Sequence, residues 1–192
     1  STRRTLRVLV WPDQGPGEPD AYALAGRWER VRRPYQLAQR GPHGLWQPPD
    51  RRALARGRVL ILLHDTFSTP QSAFVDWLSH DSFDAVARAY EGRCLAFAHP
   101  TLSARLDANV EWLVDALAGL PGPFDVVAHG RGGLLARALA HDGRLRLGRV
   151  CQVGTPNLGT PLATADRLRL FLDAHVAMLA RAKKALAQAT LE

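Results

Sequence analysis

The chain has 192 residues, a hydrophobic content of 46% and a formal net charge of +7. This length and apolar content suffice to bury one core, so the sequence predicts a single domain. The positive charge comes from 23 arginines and only two lysines, which are spread along the chain and rarely stand more than two together. Nucleic-acid-binding surfaces cluster their basic residues, so we interpret the arginines as GC-rich coding bias on a solvated surface and predict no nucleic-acid partner.

The first third of the chain has only short strand signals. Residues 5–11 and 35–40 have the pattern of two short strands, and each is followed by a loop rich in proline and glycine, at 12–19 and 41–50. We expect these two strands to form an antiparallel edge of the domain.

The sequence contains neither a membrane-span pattern nor a signal-peptide pattern. The longest apolar run, 59–63, is far below the ~18 residues that a span needs, and the stretch after the basic start, 6–11, is short and interrupted by arginine. Cys94 and Cys151 fall in predicted strands that are not neighbours, so two reduced, buried thiols are expected. These features predict a cytoplasmic protein.

From residue 58 onward, predicted strands and helices alternate. Strands of this kind, with nearly continuous apolar sequence, indicate a parallel sheet that is covered on both faces. The predicted strands are 58–63, 93–98, 124–128 and 149–153, and the predicted helices are 70–79, 82–90, 105–119 and 131–141.

The last segment is predicted to be helical. Thr160 is suited to an N-cap with Pro161 at the first helical position, and apolar residues recur near helical spacing from 168 to 186. One continuous helix would be ~45 Å long, so we expect a break near Asp173 and two helices of a lid or a partner surface. The predicted organisation is edge strands and loops of the same domain at 1–57, a core at 58–160 and a helical tail at 161–192.

One motif combines a buried strand, a sharp turn and a helix. The apolar strand at 124–128 runs into Gly130, and Gly132 and Gly133 precede the next helix. In the G-x-S-x-G nucleophile elbow of hydrolases, this arrangement exposes the side chain of the apex residue above the sheet. Here the apex is Gly130, so the position of the nucleophile has no side chain.

Four sequence blocks occur in order at 64–68, 99–103, 129–133 and 155–162, and they read H-D-T-F-S, H-P-T-L-S, H-G-R-G-G and T-P-N-L-G-T-P-L. Together they resemble a bacterial lipase- or esterase-like branch of the α/β-hydrolase family, with the pattern H-G-T-F-S, H-P-T-L-S, H-S-R-G-G and T-P-N-x-G-T-P-L. The resemblance implies an α/β-hydrolase-like fold, which is a mostly parallel sheet with helices on both faces. The last strands of that fold would be missing from this chain.

The resemblance also implies where a reaction centre would lie. Gly130 marks the vacated nucleophile position, exposed above the sheet and within about 10 Å of the turn after His64. Backbone N–H groups of Thr66 and Arg131 would bind the oxyanion. The implied pocket is formed by His64, Phe67, His129, Thr155 and Pro156, with no cofactor and no metal.

Three histidines end predicted parallel strands, and they are expected to converge at the carboxyl edge of the sheet. His64, His99 and His129 could in principle hold a metal. No carboxylate accompanies them at ligand spacing, so structural hydrogen bonds to neighbouring loops are the preferred interpretation.

Two departures from the family pattern affect the predicted chemistry. Asp65 stands where the pattern has glycine, and its carboxylate either repels a nearby oxyanion by several kcal/mol or points outward and caps the following helix. Beyond Gly130 the histidines are His141 and His175, and both fall on predicted helices. Neither is suited to be the general base, so we expect the base and the acid on strands that would follow Glu192.

Gly130 admits two explanations, natural decay to a pseudoenzyme or an engineered substitution, and departures at several positions favour decay or truncation. The first functional hypothesis is a serine carboxyl-ester hydrolase domain that is inactive in this chain. The alternative is a non-catalytic module that serves binding or interaction in a larger assembly. The expected partners are a small acyl or ester ligand and a protein partner, or the C-terminal remainder of the same protein.

Overall fold

The computed structural model of the chain describes residues 29, 31, 34–41 and 44–160, which form a six-stranded sheet in the order β2-β1-β4-β3-β5-β6. The strands are β1 (Gln36–Arg40), β2 (Trp46–Gln47), β3 (Val59–Leu63), β4 (Cys94–Ala98), β5 (Phe124–His129) and β6 (Leu147–Val153). The helices are α1 (Arg51–Leu54), α2 (Pro70–Ala73), α3 (Val75–Leu78), α4 (Asp81–Ala89), α5 (Leu106–Leu117) and α6 (Arg131–Asp142).

Four neighbouring strands, β4, β3, β5 and β6, run parallel. Leu63 at the end of β3 lies beside Phe97 on one side and Ala128 on the other, and His129 lies beside Val153. The carboxyl ends of these strands therefore meet at one edge of the sheet, as the sequence predicted.

The expectation of an α/β-hydrolase-like, mostly parallel sheet is wrong, because this small sheet is mixed. β1 pairs antiparallel with β4, and β2 pairs antiparallel with β1. The Gly41 N–H donates to the Leu45 carbonyl oxygen at 2.7 Å, next to the β1–β2 pairing. β2 lies within the segment 41–50, for which the sequence predicts only a loop.

Side chains of β3 alternate between two buried clusters. Ile61 and Leu63 pack with α5 and α6, whereas Leu60 and Leu62 pack with Phe74 and Phe83 from the other group of helices. All five residues of β3 are buried, and full burial of each such aliphatic side chain contributes roughly 1.5–3 kcal/mol. The strand that leads into the 64–68 turn is therefore the most firmly held element of the sheet.

Most predicted elements of the core are present, with two differences. The predicted helix at 70–79 is divided at Phe74, whose φ of −120° and ψ of 18° are not helical. Cys151 is exposed rather than buried, because β6 is an edge strand, whereas Cys94 is buried and burial raises the pKa of its thiol to about 11. The predicted strand at 5–11 and the helical tail at 161–192 lie outside the described residues.

Candidate functional site

The chain passes from β5 to α6 through a sharp turn at Gly130, where the sequence predicts the elbow. Gly130 has φ 51° and ψ −120°, a conformation that costs glycine little but strains other residues. Its N–H donates to the Val153 carbonyl oxygen at 2.9 Å. A Cβ on Gly132 would lie 2.3 Å from the Leu63 carbonyl oxygen, so glycine there allows α6 to approach β3. The predicted strand, turn and helix are thus all present.

The carboxylate of Asp65 fills the space at the apex of this turn. A Cβ added to Gly130 would lie 2.1 Å from both Cγ and Oδ1 of Asp65. The Arg131 N–H donates to Asp65 Oδ1 at 2.6 Å. Asp65 therefore supplies a negative charge to the N-terminus of α6, where the helix dipole favours an anion.

This placement corrects one expectation and excludes one of the two alternatives for Asp65. Gly130 is buried, not exposed above the sheet, because Asp65 lies against it. Asp65 does not point outward to cap the following helix, since Thr69 is the N-cap of α2 and forms a capping box with Ser72. Any side chain at position 130 would require Asp65 to move.

Hydrogen bonds from side chains to the backbone shape the turn that carries Asp65. Its carbonyl oxygen accepts from the Ser68 hydroxyl at 2.7 Å and from His64 Nδ1 at 2.8 Å. Phe67 has a φ of 60°, which is unusual for an aromatic residue. The Phe67 N–H donates to Thr101 Oγ1 at 3.2 Å, so the block at 99–103 holds the block at 64–68.

His64 and His99 meet at the strand ends, as predicted, and they form structural hydrogen bonds. Their ring centroids are 4.2 Å apart, and the His99 backbone N–H donates to His64 Nε2 at 3.2 Å. Nδ1 of His99 faces the Phe97 carbonyl oxygen at 3.3 Å, so that nitrogen carries the proton. Burial, followed by the nearby His64 and Arg131, holds the pKa of His99 well below its ordinary value.

His129 ends β5 directly before the elbow, and its Nδ1 is buried without a partner among the described residues. Within the same part of the chain, no group of three His, Cys, Asp or Glu side chains is arranged to hold a metal ion. The described geometry of the three histidines therefore offers no metal centre.

Glu29 is a buried carboxylate that no sequence motif marks. It is only 2% exposed, and it accepts five hydrogen bonds of 2.6–2.9 Å. The donors are the backbone N–H groups of Thr101, Leu102 and Ser103 and the hydroxyls of Thr101 and Ser103. Burial raises the pKa of Glu29, but these hydrogen bonds outweigh it and leave the pKa below its ordinary value.

The remaining predicted site residues lie around the elbow in different ways. The Arg131 side chain turns toward the loop before α5, where its Nη2 donates to the Ala104 carbonyl oxygen at 3.1 Å. Thr155 packs against the first turn of α6 at Gly133. A Cβ on Gly133 would lie only 1.9 Å from Thr155 Oγ1, so glycine is needed there. Pro156 follows in a turn in which its carbonyl oxygen accepts from the Gly159 N–H at 2.9 Å.

Of the two histidines that follow Gly130 in the sequence, the structure describes one, and it lies far from the elbow. His141 is exposed at the end of α6, eleven residues away, which is roughly 16 Å along a helix. His175 lies outside the described residues. An open groove of about 390 Å³ lies elsewhere, between β1 and α5, and it shares no residue with the predicted pocket. Its lining includes Tyr35, Leu37, Leu54, Trp112 and Leu117.

The comparison with protein families covers most of the chain, because a family model matches residues 29–192. The chain belongs to the DUF7379 family. This family is described as a domain of unknown function. The DUF7379 match begins at Glu29 and includes the 64–68 turn and the elbow. A comparison with curated proteins finds no match. None of the helices in the described part of this DUF7379 chain has the length and hydropathy to cross a bilayer.

Proposed function

We propose that the chain is a carboxyl-ester hydrolase domain of the lipase or esterase type whose reaction centre is closed. Gly130 leaves the nucleophile position vacant, and the Asp65 carboxylate fills it. The single observation that carries this proposal is the contact of Asp65 with both Gly130 and the Arg131 N–H.

The backbone geometry supports a hydrolase-type origin. Gly130 has a φ of 51° and a ψ of −120°, a conformation that strains residues other than glycine. The apex residue of a strand-to-helix nucleophile elbow is held in a strained turn of this kind. The Arg131 N–H points at an oxygen of Asp65, in the way that an oxyanion-hole donor points at the oxygen of a tetrahedral intermediate. A carboxylate oxygen therefore stands where a substrate oxygen would bind.

The same contact makes the native chain inactive toward esters. Gly130 supplies no nucleophile, and the N–H of Arg131 that would bind the oxyanion already donates to Asp65. A developing oxyanion 4 Å from the Asp65 carboxylate would be repelled by about 4 kcal/mol at the effective dielectric of a protein surface.

The two departures from the lipase- or esterase-like pattern, at positions 65 and 130, lie in contact with each other. The pattern has glycine before T-F-S and serine at the elbow, whereas this chain has Asp65 and Gly130. A side chain at both positions cannot fit, because the Cβ of residue 130 would overlap the carboxylate. An exchange that alters both positions together favours natural loss of activity over a single engineered substitution.

The test rebuilds a nucleophile that needs no general base. In the double variant Asp65→Gly/Gly130→Cys, the thiol at position 130 would lie at the N-terminus of α6, where its pKa is lowered. With p-nitrophenyl butyrate, the thiolate attacks the ester carbon, a thioester forms and p-nitrophenolate leaves. We expect acylation at position 130 to be at least about tenfold faster than at an ordinary exposed thiol, because the freed Arg131 N–H stabilises the oxyanion.

The chain contains its own control thiol. Cys151 is exposed on β6, and Cys94 is buried, so mass spectrometry of peptides compares position 130 with Cys151 in one sample. Alkylation by iodoacetamide shows that the introduced thiol is accessible. Acylation at position 130 that is no faster than at Cys151, despite normal alkylation, would overturn the proposal.

The second candidate is a non-catalytic module that binds an acyl ligand or a protein partner through the same scaffold. The occupied Arg131 N–H of the native chain favours it. The double variant distinguishes the two, because a helix terminus alone activates the thiol, whereas fast acylation also needs an N–H aligned with the oxygen of the attacked ester. An accessible thiol that is acylated no faster than Cys151 supports the binding module.

A further inference from the structure

Glu29 joins a distant part of the chain to the loop that follows β4. Its carboxylate accepts from three consecutive backbone N–H groups and two hydroxyls at residues 101–103. The carboxylate is buried, so these donors replace its hydration. This loop conformation therefore depends on Glu29.

Thr101 passes this constraint to the turn that carries Asp65. Its hydroxyl donates to Glu29 Oε1 at 2.7 Å. Because that bond commits the hydroxyl proton, Oγ1 can only accept toward its other neighbour, and it accepts from the Phe67 N–H at 3.2 Å. Glu29 thus orients the Thr101 hydroxyl so that a lone pair of Oγ1 faces the Phe67 N–H.

The Phe67 bond holds a conformation that the chain would not choose locally. Phe67 has a φ of 60°, in the left-handed region that disfavours bulky residues. Phe67 lies two residues after Asp65, and Thr66 stands between them. A turn that relaxed at Phe67 would move both the Asp65 side chain and the Thr66 backbone relative to Gly130.

We infer that Glu29 is a positioning residue of the elbow site, which acts through Thr101 and Phe67 to hold the 65–67 backbone against Gly130. The contacts of this relay are independent of any activity, but its role in positioning reaction groups rests on the proposed function. Glu29 itself touches no residue of the elbow in the described contacts.

The relay is tested first in the otherwise native chain by amide hydrogen exchange. Thr101→Val removes the hydroxyl at nearly constant volume, Thr101→Ser keeps it, and Glu29→Gln keeps the shape of the carboxylate without its charge. We expect the Phe67 amide to exchange about tenfold faster in Thr101→Val and Glu29→Gln, and at the native rate in Thr101→Ser. Core amides of β3 serve as the reference, and Glu111→Gln on the exposed face of α5 serves as the matched control.

The second readout separates positioning from general stability. In the Asp65→Gly/Gly130→Cys background, Glu29→Gln is expected to lower acylation by p-nitrophenyl butyrate about tenfold while iodoacetamide alkylation stays unchanged, because only acylation needs the backbone donors. Thr101→Ser should retain the acylation rate, and Thr101→Val should lose it.

The two readouts fail in distinguishable ways. Unchanged Phe67 exchange in Thr101→Val, or exchange that rises equally in the β3 amides, would overturn the relay whatever the activity. Lack of preferential acylation in the parent double variant would overturn the proposed function. Normal acylation in Glu29→Gln, with fast exchange at Phe67, would overturn the positioning role.

Discussion

The two ends of the four parallel strands hold carboxylates in different ways. At the amino end, Asp125 accepts from the Arg58 guanidinium at 2.6 and 2.8 Å, from the Tyr90 hydroxyl and from the Arg149 N–H. At the carboxyl end, Glu29 and Asp65 bind backbone N–H groups and hydroxyls. A cation therefore neutralises the carboxylate at the first end, whereas the second end presents donors suited to an anion and fills them with the chain's own side chains.

The pKa values at the amino end reflect the ion pair between Asp125 and Arg58. Burial raises the pKa of Asp125, but the hydrogen bonds from Arg58 and Tyr90 outweigh it, so the pKa lies below its ordinary value. Burial, and then the bond to Asp125, raises the pKa of Tyr90 to about 12. Asp125 is therefore a structural carboxylate, and its removal should affect stability without affecting the elbow.

The largest expected effect is at the amino end. Asp125→Ala should lower the free energy of unfolding by about 3 kcal/mol, because it leaves the Tyr90 hydroxyl and the Arg149 N–H without their acceptor and opens a void. Urea denaturation measures the change, and Asp115→Ala on the exposed side of α5 is the control. A loss below 1 kcal/mol would show that the buried network at this end is dispensable.

The next effect is at the elbow itself. Gly130→Ala should cost about 2–3 kcal/mol, since the new Cβ meets Asp65 and the φ is positive. In a double-mutant cycle, Gly130→Ala should cost about 1–2 kcal/mol less in the Asp65→Gly background than in the native chain. Gly143→Ala is the matched control, because Gly143 has a φ of 76° but nothing within 4 Å of its Cβ. Equal coupling at both glycines would refute the contact.

A smaller effect depends on pH. The pKa of Glu29 is lowered in the folded chain from its ordinary value of 4.5. The unfolded chain therefore binds the proton more readily, so the stabilisation by Glu29 is complete above about pH 4.5 and is lost as the pH falls through the lowered folded value. Relative to Glu29→Gln, the native chain should be more stable at pH 7 and lose that advantage toward pH 3. Urea titrations at both pH values measure it, and a constant difference would contradict the assignment.

The smallest expected effect is a null. The native chain and Gly130→Ser should show no hydrolysis of aryl esters and no labelling by an organophosphonate, because the serine would collide with Asp65 and lack a base. Robust labelling of the Gly130→Ser chain at position 130 would mean that a base is already present and that Asp65 does not close the site.

Local patterns predicted much of the fold, but pairings between distant segments were missed. The elbow was predictable because the apolar strand, Gly130 and the following helix are contiguous. The antiparallel pairing of β1 with β4 depends on residues about 60 positions apart, so a single sequence could not reveal it. The position of Asp65 is decided by the approach of α6, so local capping rules could not choose between its two possible placements. Glu29 lies 72 residues before Thr101, and no motif connects them.

The acylation rate of a thiol at position 130, measured with and without Asp65, tests most directly whether Asp65 closes the site. We predict that Asp65→Gly/Gly130→Cys is acylated by p-nitrophenyl butyrate at least about tenfold faster than Gly130→Cys alone, because glycine at 65 frees the Arg131 N–H and removes the negative charge. Equal rates in the two variants, at equal accessibility to iodoacetamide, would contradict the claim that Asp65 closes a hydrolase-type site.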